Sequence, residues 1–471
     1  MPTKFQQDMA LKKQIGFAFK RFRLICRPDF VAIAVLSFVS AGRVFAQTAL
    51  DESLAELPTE TNNAIEAFSY PATNQLEAAA APTNPGSTGP ALGGTSQLFT
   101  VPPLVSGAGL TSQSPLRWGR INLSPHLQYQ MSYGNGVQAS PGQQGNTLVN
   151  QVSPGILIGL GTHWTIDYTP TLRFYSDTRF KDGTDHAVNL QGTTAYKDWT
   201  FGLSQGYSLS SQPLVETGAQ TDQETYSTAL TANYQLNGEL SLSLAANQIF
   251  RSIDQPVASE QLSDMREWST LDWLNYQFEP SLGASLGAGF TYDNIVGSPD
   301  MTSEQIQGRV NWQASRKLHF LLSGGLNDQQ FIGSHTPDLL SPIFSLSAQY
   351  QIFEATSFSL SANRAVTPSY FQGATTETTG INAALRQRFL GKLYLDVSGG
   401  YGNTAYHGTT TGPIASNIAD YNSTSFSVSL STLFFKRATA SLFYQASYNS
   451  SGVALYNYTT TQGGFTLGYR F

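Results

Sequence analysis

Apolar and polar residues alternate along most of the chain from about residue 118 onward. In residues 240–244, leucine occupies every even position and serine both odd positions. Residues 344–352 and 425–430 repeat the pattern with other apolar residues. Successive side chains of a β-strand point to opposite faces, so the alternation predicts strands with one apolar and one polar face.

The connections between these strands are alternately short and long. The short connections are predicted at residues 161–163, 197–198, 237–238, 279–280, 315–316, 354–356, 390–391 and 435–437. The long connections are predicted at residues 135–146, 176–186, 211–224, 252–264, 293–302, 329–342, 367–377, 403–421 and 450–457. Eight turns and nine loops require eighteen strands, which places both ends of the series on one side. Asn237-Gly238 is expected to form a two-residue hairpin turn with positive φ at both positions.

The composition favours a barrel in a membrane over a soluble domain. Charged residues make up only 12% of the sequence, against about 25% in a typical soluble domain. The hydrophobic fraction is nevertheless 40%, and the mean hydropathy is -0.19. A soluble sandwich of so many alternating strands leaves one face too apolar for water or the other too polar for a core. We therefore predict an all-β fold, a single transmembrane antiparallel up-and-down β-barrel of about 18 strands in residues 116–471.

Aromatic residues gather near the predicted strand ends, where they are expected to form girdles at the membrane interfaces. They are Trp164, Trp199, Tyr234, Phe278, Trp312 and Phe434. Three places depart from the regular pattern. A bulge is expected in residues 265–278, where the alternation slips, and Pro154 and Pro170 remove ladder donors from their strands. Arg364 has the lipid-facing parity and is expected near the extracellular rim.

The last residues of the sequence form another alternating segment. Phe465, Leu467, Tyr469 and Phe471 lie at every second position. This segment resembles the C-terminal signature of Gram-negative outer-membrane β-barrel proteins. The resemblance implies that these four side chains are read by the barrel-assembly machinery. The strand is expected to close the barrel against residues 121–133.

The first 46 residues have the features of a secretory signal peptide. Basic residues between Lys12 and Arg27 precede the apolar run at 30–39, and Val44-Phe-Ala46 supplies a small-residue cleavage site. The run is too short to span a bilayer, which needs about 20 apolar residues. Cys26 is the sole cysteine of the sequence, so no disulfide is expected after cleavage. Residues 47–115, rich in Ala, Thr, Pro and Gly, are predicted to form a flexible, low-complexity periplasmic arm.

The charged residues with the lumen-facing parity are mostly basic. They are Arg173, Lys197, Arg251, Arg309, Arg386, Arg388 and Arg470, against Asp167 and Asp396. Several arginines at one height form a positive constriction that favours anions. Arg386 and Arg388, two apart on one strand, are the strongest candidates. The alternative is that these arginines pair with Asp396 on the next strand or merely hydrate the lumen.

The sequence favours neither an enzyme nor a cofactor or metal site. The six histidines are scattered over strands, a turn and loops, and there is no His-Glu-x-x-His pair or Asp-x-Asp-x-Asp-Gly loop. The formal net charge of -6, without a basic stripe, argues against nucleic-acid binding. Outer-membrane lipid and lipopolysaccharide are the surroundings expected for such a barrel.

Residues 363–370, 385–395 and 399–402 carry a second resemblance. A polar strand, a short turn and a Gly-Tyr strand end resemble those of outer-membrane β-barrel porin families, which include barrels associated with exopolysaccharide secretion. The resemblance implies a bacterial outer-membrane channel for passive passage of small polar or anionic solutes. One alternative is an accessory barrel in exopolysaccharide secretion, in which Tyr175 and Tyr394 contact the polysaccharide. A structural or adhesive barrel without transport is the other.

Overall fold

The computed structural model describes residues 116–135, 138–140, 143–213, 220–254, 264–334, 337–369, 374–408, 420–435, 437–452 and 457–471. The predicted signal peptide (1–46) and the predicted arm (47–115) lie outside the described residues, so both stay predictions. In the described part of the chain, no helix is long and apolar enough to cross a bilayer.

Strands account for most of the described residues. They are β1 (Leu116–Trp118), β2 (Ile121–Gly134), β3 (Gln138–Ser140), β4 (Gln143–Gln144), β5 (Thr147–Leu160), β6 (Trp164–Tyr175), β7 (Gly183–Tyr196), β8 (Trp199–Pro213), β9 (Gln220–Gln235), β10 (Leu240–Asp254), β11 (Met265–Glu279), β12 (Leu282–Ile295), β13 (Met301–Ser315), β14 (Leu318–Phe331), β15 (Leu339–Phe353), β16 (Thr356–Pro368), β17 (Ala374–Phe389), β18 (Leu393–Gly408), β19 (Tyr421–Phe434), β20 (Ala438–Ser451) and β21 (Tyr458–Arg470).

Eighteen of these strands, β2 and β5–β21, form a closed antiparallel barrel. Each strand pairs with the next along the chain, and β21 pairs with β2 from His126↔Arg470 to Gly134↔Gln462. The predicted fold and strand number are therefore confirmed. The short strand β1 pairs with β2, and β3 and β4 form a hairpin within the connection between β2 and β5. We call the end of the barrel with this hairpin the long-loop end, and the other the short-turn end.

The two faces of the sheet differ as the alternation predicts. On the outer face, Leu286 of β12 and Ile306 of β13 are 63% and 67% exposed. On the inner face of β13, Ser303 and Arg309 are buried. An exposed apolar exterior and a polar interior are the reverse of a soluble protein, and they match a barrel that spans lipid.

Aromatic rings line the outer face near the long-loop end of β8–β12. The rings of Tyr207 and Tyr226 lie 4.9 Å apart. Trp268 lies 5.5 Å from Phe250 and 5.9 Å from Tyr292, measured between ring centroids. These five residues, on five consecutive strands, form the long-loop girdle.

A second set of rings lies near the short-turn end. Trp199 lies 4.7 Å from Tyr234, and Trp312 lies 5.6 Å from Phe320. On β9, Tyr226 and Tyr234 are about eight residues apart. With about 3.4 Å per residue and a tilt of about 40°, they are separated by roughly 21 Å along the barrel axis. That separation is close to the height of an outer-membrane apolar band, about 25 Å.

The turn at Asn237-Gly238 does not have the predicted conformation. The connection runs from residue 236 to 239, and neither Asn237 nor Gly238 has positive φ. The Asn237 side-chain oxygen instead accepts hydrogen bonds from the backbone N of Glu239 and Leu240, both at 2.8 Å. This side-chain turn replaces the backbone geometry that the dipeptide usually adopts. Consecutive positive φ angles of 48° and 73° occur at Leu390 and Gly391.

The predicted slip in residues 265–278 is also absent from the middle of the strand. β11 keeps one register against β12 from Met265 to Gln277, and the register shifts only between Gln277 and Glu279. Leu271 and Trp273 point into the barrel and are buried, so the apolar residues fall on both faces. The alternation was obscured because an inward position accepts an apolar residue when other side chains cover it.

The other irregularities lie where they were expected. The ladder between β5 and β6 is interrupted between Val152↔Leu172 and Ile156↔Tyr168, around Pro154 and Pro170. Arg364 lies opposite the outward-facing Phe344 toward the long-loop end of β16, and forms an ion pair with Glu377 of β17.

Most long connections are shorter than predicted, because the strands continue beyond the apolar band. The predicted loop 403–421 begins only after Gly408, where β17 and β18 still pair through Ala374↔Gly408. Beyond the band, neither face contacts lipid, so the alternation ends. The backbone ladder still satisfies its hydrogen bonds and therefore continues.

Candidate functional site: the lumen wall

The predicted lumen arginines are spread around the barrel wall. Arg173 lies on β6, Arg251 on β10, Arg309 on β13, Arg386 and Arg388 on β17, and Arg470 on β21. Lys197 lies in the turn between β7 and β8, is exposed, and has a φ of 53°. Its Nζ lies 5.3 Å from the ring centroid of Tyr196. Since strand parity does not apply at a positive φ, Lys197 belongs to the rim of the barrel and not to its lumen wall.

The six arginines lie at different heights. Arg173 and Arg251 are near the long-loop end, Arg309 is near the middle, and Arg386, Arg388 and Arg470 are near the short-turn end. Around the wall, three or four strand steps separate one group from the next. The structure thus brings together only Arg386 and Arg388, and the six arginines form no single positive ring.

Arg386 is paired with Asp396, as the alternative interpretation anticipated. The two residues are direct cross-strand partners on β17 and β18, and Arg386 Nε lies 3.5 Å from Asp396 Oδ1. The guanidinium carbon lies 4.9 Å from the ring centroid of Tyr394. The Arg386 and Asp396 side chains are 40% and 33% exposed, so both are accessible from the lumen. Arg388, opposite Tyr394, is exposed and makes no ion pair within the described residues.

Arg173 is also held by a carboxylate. Its Nη2 lies 2.8 Å from Asp185 Oδ2 on β7, and its Nη1 donates a 3.5 Å hydrogen bond to the Tyr175 hydroxyl. Asp185 additionally accepts a hydrogen bond from the backbone N of Ser211 at 2.8 Å. The charge of Arg173 is therefore balanced at the wall.

Arg251 lies beside two acidic residues that the sequence did not single out as lumen residues. Glu267 and Asp293 are cross-strand partners on β11 and β12, and Arg251 pairs with the adjacent Met265. All three charged residues are buried, at 3%, 5% and 2% exposure for Arg251, Glu267 and Asp293. Asp293 lies within β12 and not in the predicted loop 293–302. This part of the wall therefore carries no net positive charge.

Arg309 stacks on an inward-facing tryptophan. Its guanidinium carbon lies 4.2 Å from the Trp273 ring, and its Nη2 donates a 2.9 Å hydrogen bond to Asn275. The Trp273 ring also lies against Gly287, where an added Cβ would be 2.6 Å from a ring carbon. The glycine gives the ring room to lie flat against β12. The sequence pattern predicts a bulge in residues 265–278, so it does not indicate that Trp273 faces inward.

Arg470 lies opposite His126 at the seam between β21 and β2. The His126 Nε2 lies 3.1 Å from Thr169 Oγ1, and that hydroxyl donates to Asp167 at 2.8 Å. The predicted lumen residue Asp167 is therefore engaged with Thr169. Together these residues form a polar stretch of wall near the short-turn end.

The predicted assembly-signal residues lie on the outer face of β21. Leu467, Tyr469 and Phe471 are 43%, 38% and 48% exposed, and Phe465 lies 5.8 Å from the Tyr129 ring. The backbone N of Phe471 donates to the carbonyl of Pro125 at 3.0 Å, so it extends the contact between β21 and β2. Their placement agrees with the predicted facing, whereas recognition by assembly machinery stays a prediction.

Residues 283–287 read Gly-Ala-Ser-Leu-Gly, which has the spacing of a nucleophile elbow. An elbow requires a sharp turn from a strand into a helix. The segment instead lies within β12, where Ser285 pairs with Asn275 and Arg309. Among the described residues, no group of three His, Cys, Asp or Glu side chains is arranged to hold a metal ion.

Comparison with known proteins gives no family. No protein-family model and no curated protein sequence matches the chain. Among solved structures, it is similar to Pseudomonas aeruginosa OccK2 (OpdF), with a TM-score of 0.44 and 12% identity, covering 74% of this chain and 97% of that one. It is also similar to P. aeruginosa OccK11 (OpdR), with a TM-score of 0.39 and 13% identity, covering 75% of this chain and 95% of that one. A third similar structure is Acinetobacter baumannii OccAB2, with a TM-score of 0.43 and 10% identity, covering 74% of this chain and 98% of that one. At these TM-scores the likeness does not bear on function.

Proposed function

We propose that the protein is a porin-like channel of the bacterial outer membrane that lets small polar solutes, with a weak preference for anions, diffuse passively. The observation that carries this proposal is the closed eighteen-stranded barrel with an apolar exterior and a polar interior. A barrel of this size encloses an aqueous channel when its lumen is not filled, whereas eight strands leave room only for side chains.

Part of the lumen wall supports an open passage. Inward-facing polar side chains on β7 and β15–β17 are exposed to solvent. They include Gln191, Thr193, Ser345, Asn363 and Asn382. A lumen filled by side chains would bury this wall as well, so these positions favour a water-filled path along it.

The expected ion preference is weak because several lumen arginines have acidic partners. Arg173 is balanced by Asp185, and Arg386 is balanced by Asp396. In this proposal, Arg388 and Arg470, near the short-turn end, are the arginines that act on solutes. Their charges favour anions at that end of the lumen.

Single-channel recording of the purified protein in planar bilayers tests the proposal. We expect ohmic conductance steps that need no added ligand, and a reversal potential of anion-preferring sign under a salt gradient. The absence of conductance in correctly folded barrels would contradict it.

A second candidate is passage of an acidic polysaccharide, which is favoured by Arg386 lying against Tyr394 on the accessible wall. A cation beside an aromatic ring suits a sugar that carries a carboxylate. This function predicts a barrel that is closed on its own and opens only when acidic glycan is added. The same bilayer recordings, with and without glycan, therefore separate the two candidates.

A further inference from the structure

The outer face of β8–β11 carries polar side chains inside the apolar band. They are Gln205, Thr228, Gln248, Thr270 and Asp272, and we call them the polar outer patch. The strands on either side are apolar at the matching positions. Leu190 of β7 pairs with Gln205, and Phe290 of β12 pairs with Thr270. The patch is therefore bounded by Leu190 on one side and by Phe290 on the other.

The depth of the patch makes its polarity costly in lipid. Gln205, Thr228, Gln248 and Thr270 each lie two residues from the long-loop girdle residue of their own strand, toward the membrane interior. Asp272 is deeper, midway between Trp268 and Tyr276 of β11. An ionisable side chain at that depth is rarely left facing hydrocarbon and usually meets a protein partner.

Asp272 receives little support from its own barrel. The ladder between β10 and β11 is interrupted between Ser243↔Trp273 and Ala246↔Thr270, next to Asp272. There, Asp272 Oδ1 accepts a 3.2 Å hydrogen bond from the backbone N of Ala245. An ionised carboxylate can accept about four hydrogen bonds. Its exposed oxygens therefore suit a donor on a neighbouring molecule.

The patch also carries such a donor. Thr228 Oγ1 donates a 2.8 Å hydrogen bond to Gln205 Oε1, which fixes the amide so that its Nε2 can donate to an acceptor outside the barrel. Acceptor and donor thus lie on one surface, at the two edges of the patch. A surface of this kind is complementary to a copy of itself.

We propose that the polar outer patch is the interface at which two copies of this chain associate about a two-fold axis along the membrane normal. With the axis between β9 and β10, β11 of one copy faces β8 of the other. Asp272 of each copy then lies about two residues deeper in the membrane than Gln205 of the second copy, an offset of roughly 5 Å that the long Gln205 side chain has to span. Gln248 lies next to the axis and meets the second copy. The inference rests on the barrel spanning a membrane, as proposed above, but not on transport.

Cysteine cross-linking in native membranes tests the interface directly. Cys26, the sole cysteine, is replaced by serine, and Gln248→Cys is introduced beside the axis. The control is Ala446→Cys, on the outer face of β20 at the opposite side of the barrel. We expect a covalent dimer of this chain from Q248C and none from A446C. Cross-linking of Q248C to a different protein, or equal dimer from both variants, would overturn the proposal.

The mass of the protein in mild detergent tests the role of Asp272. We expect twice the chain mass for the unaltered protein and for A446L, and a halved mass for D272L and for Q205L. D272L and Q205L each replace a polar residue of the outer face by an apolar one, so both barrels should stay folded. Folding is judged by the change in gel mobility that a folded barrel shows when the sample is heated. A dimer that survives D272L, or an unaltered protein that is monomeric, would refute the interface. Neither outcome depends on conductance, so a failed channel proposal leaves this test intact.

Discussion

At the scale of single residues, the lumen wall is governed by which charges have partners. Arg386 and Asp396 lie at one height and nearly cancel for a passing ion, whereas Arg388 is exposed and makes no ion pair within the described residues. In water, an ion about 8 Å from a single charge gains or loses about 0.5 kcal/mol. The anion and the cation are affected in opposite directions, so their free energies move apart by about 1 kcal/mol. This changes the anion-to-cation preference about fivefold, because 1.4 kcal/mol is a factor of ten.

We therefore expect Arg388→Gln to lower the anion-to-cation permeability ratio about fivefold. Arg386→Gln should lower it by a similar factor, because it leaves the Asp396 carboxylate without its cation. Asp396→Asn should raise the ratio. Reversal potentials under a salt gradient measure all three variants. If R388Q left the reversal potential unchanged while R386Q shifted it, the paired arginine would be the selective one.

Gly287 is a residue whose side chain is excluded by its neighbour. A Cβ at this position would lie 2.6 Å from the Trp273 ring, which also carries the Arg309 guanidinium. Gly287→Ala should therefore displace the ring and destabilise the barrel by about 1–3 kcal/mol. Gly308→Ala is the matched control, since nothing lies within 4 Å of its added Cβ.

Urea unfolding in lipid vesicles, followed by tryptophan fluorescence, compares the two alanine variants. We expect G308A to stay within about 0.5 kcal/mol of the unaltered protein. A loss of the same size in both variants would mean that the Trp273 contact is not the cause.

At the scale of strands, the sequence was informative wherever a side chain faces lipid. The outer face admits mainly apolar residues, so leucines at 240, 242 and 244 identified β10 and its facing. The inner face has no such rule. Asp293 on the buried wall was therefore indistinguishable from an acidic loop residue, and Trp273 was taken as a sign of a bulge. Partners such as Asp185 for Arg173 depend on register, which the alternation alone does not specify.

β21 is the strand on which a prediction about assembly can be made. Phe471 contributes a backbone hydrogen bond to Pro125 and a ring 4.7 Å from Tyr469. We expect Phe471→Ala to reduce the amount of folded barrel in the outer membrane several-fold, because the ring of the proposed assembly signal is lost while the backbone hydrogen bond to Pro125 remains. The heat-dependent gel shift of membrane fractions measures the folded amount.

Phe435→Ala is the control for this change. Phe435 is an 86% exposed aromatic residue at the same end of the barrel, but it lies in the turn between β19 and β20. We expect F435A to insert normally. An equal loss in both variants would assign the effect to the aromatic belt in general and not to β21.

For the whole molecule, the seam between β2 and β21 differs from every other strand pairing of the barrel. Each other pair is a hairpin whose strands stay connected when the ladder breaks, whereas the seam joins segments that are far apart in sequence. Loss of the seam opens the closed sheet and exposes two edges to lipid, which is unfavourable because the edge hydrogen bonds have no partner. We infer that unfolding begins by opening this seam.

A disulfide across the seam tests this inference in a chain whose Cys26 has been replaced. Gln130 and Thr466 are cross-strand partners at the seam, and Ser361 and Asn382 are partners within the β16–β17 hairpin. The chain-entropy model gives roughly 5–6 kcal/mol for closing the long loop and about 3 kcal/mol for the hairpin. We expect the oxidised Gln130→Cys, Thr466→Cys pair to slow unfolding in denaturant more than tenfold, with recovery of the original rate on reduction. The oxidised Ser361→Cys, Asn382→Cys pair should change the rate little, because a hairpin can leave the seam while still cross-linked. Equal slowing by both disulfides would show that the barrel unfolds without first opening between β2 and β21.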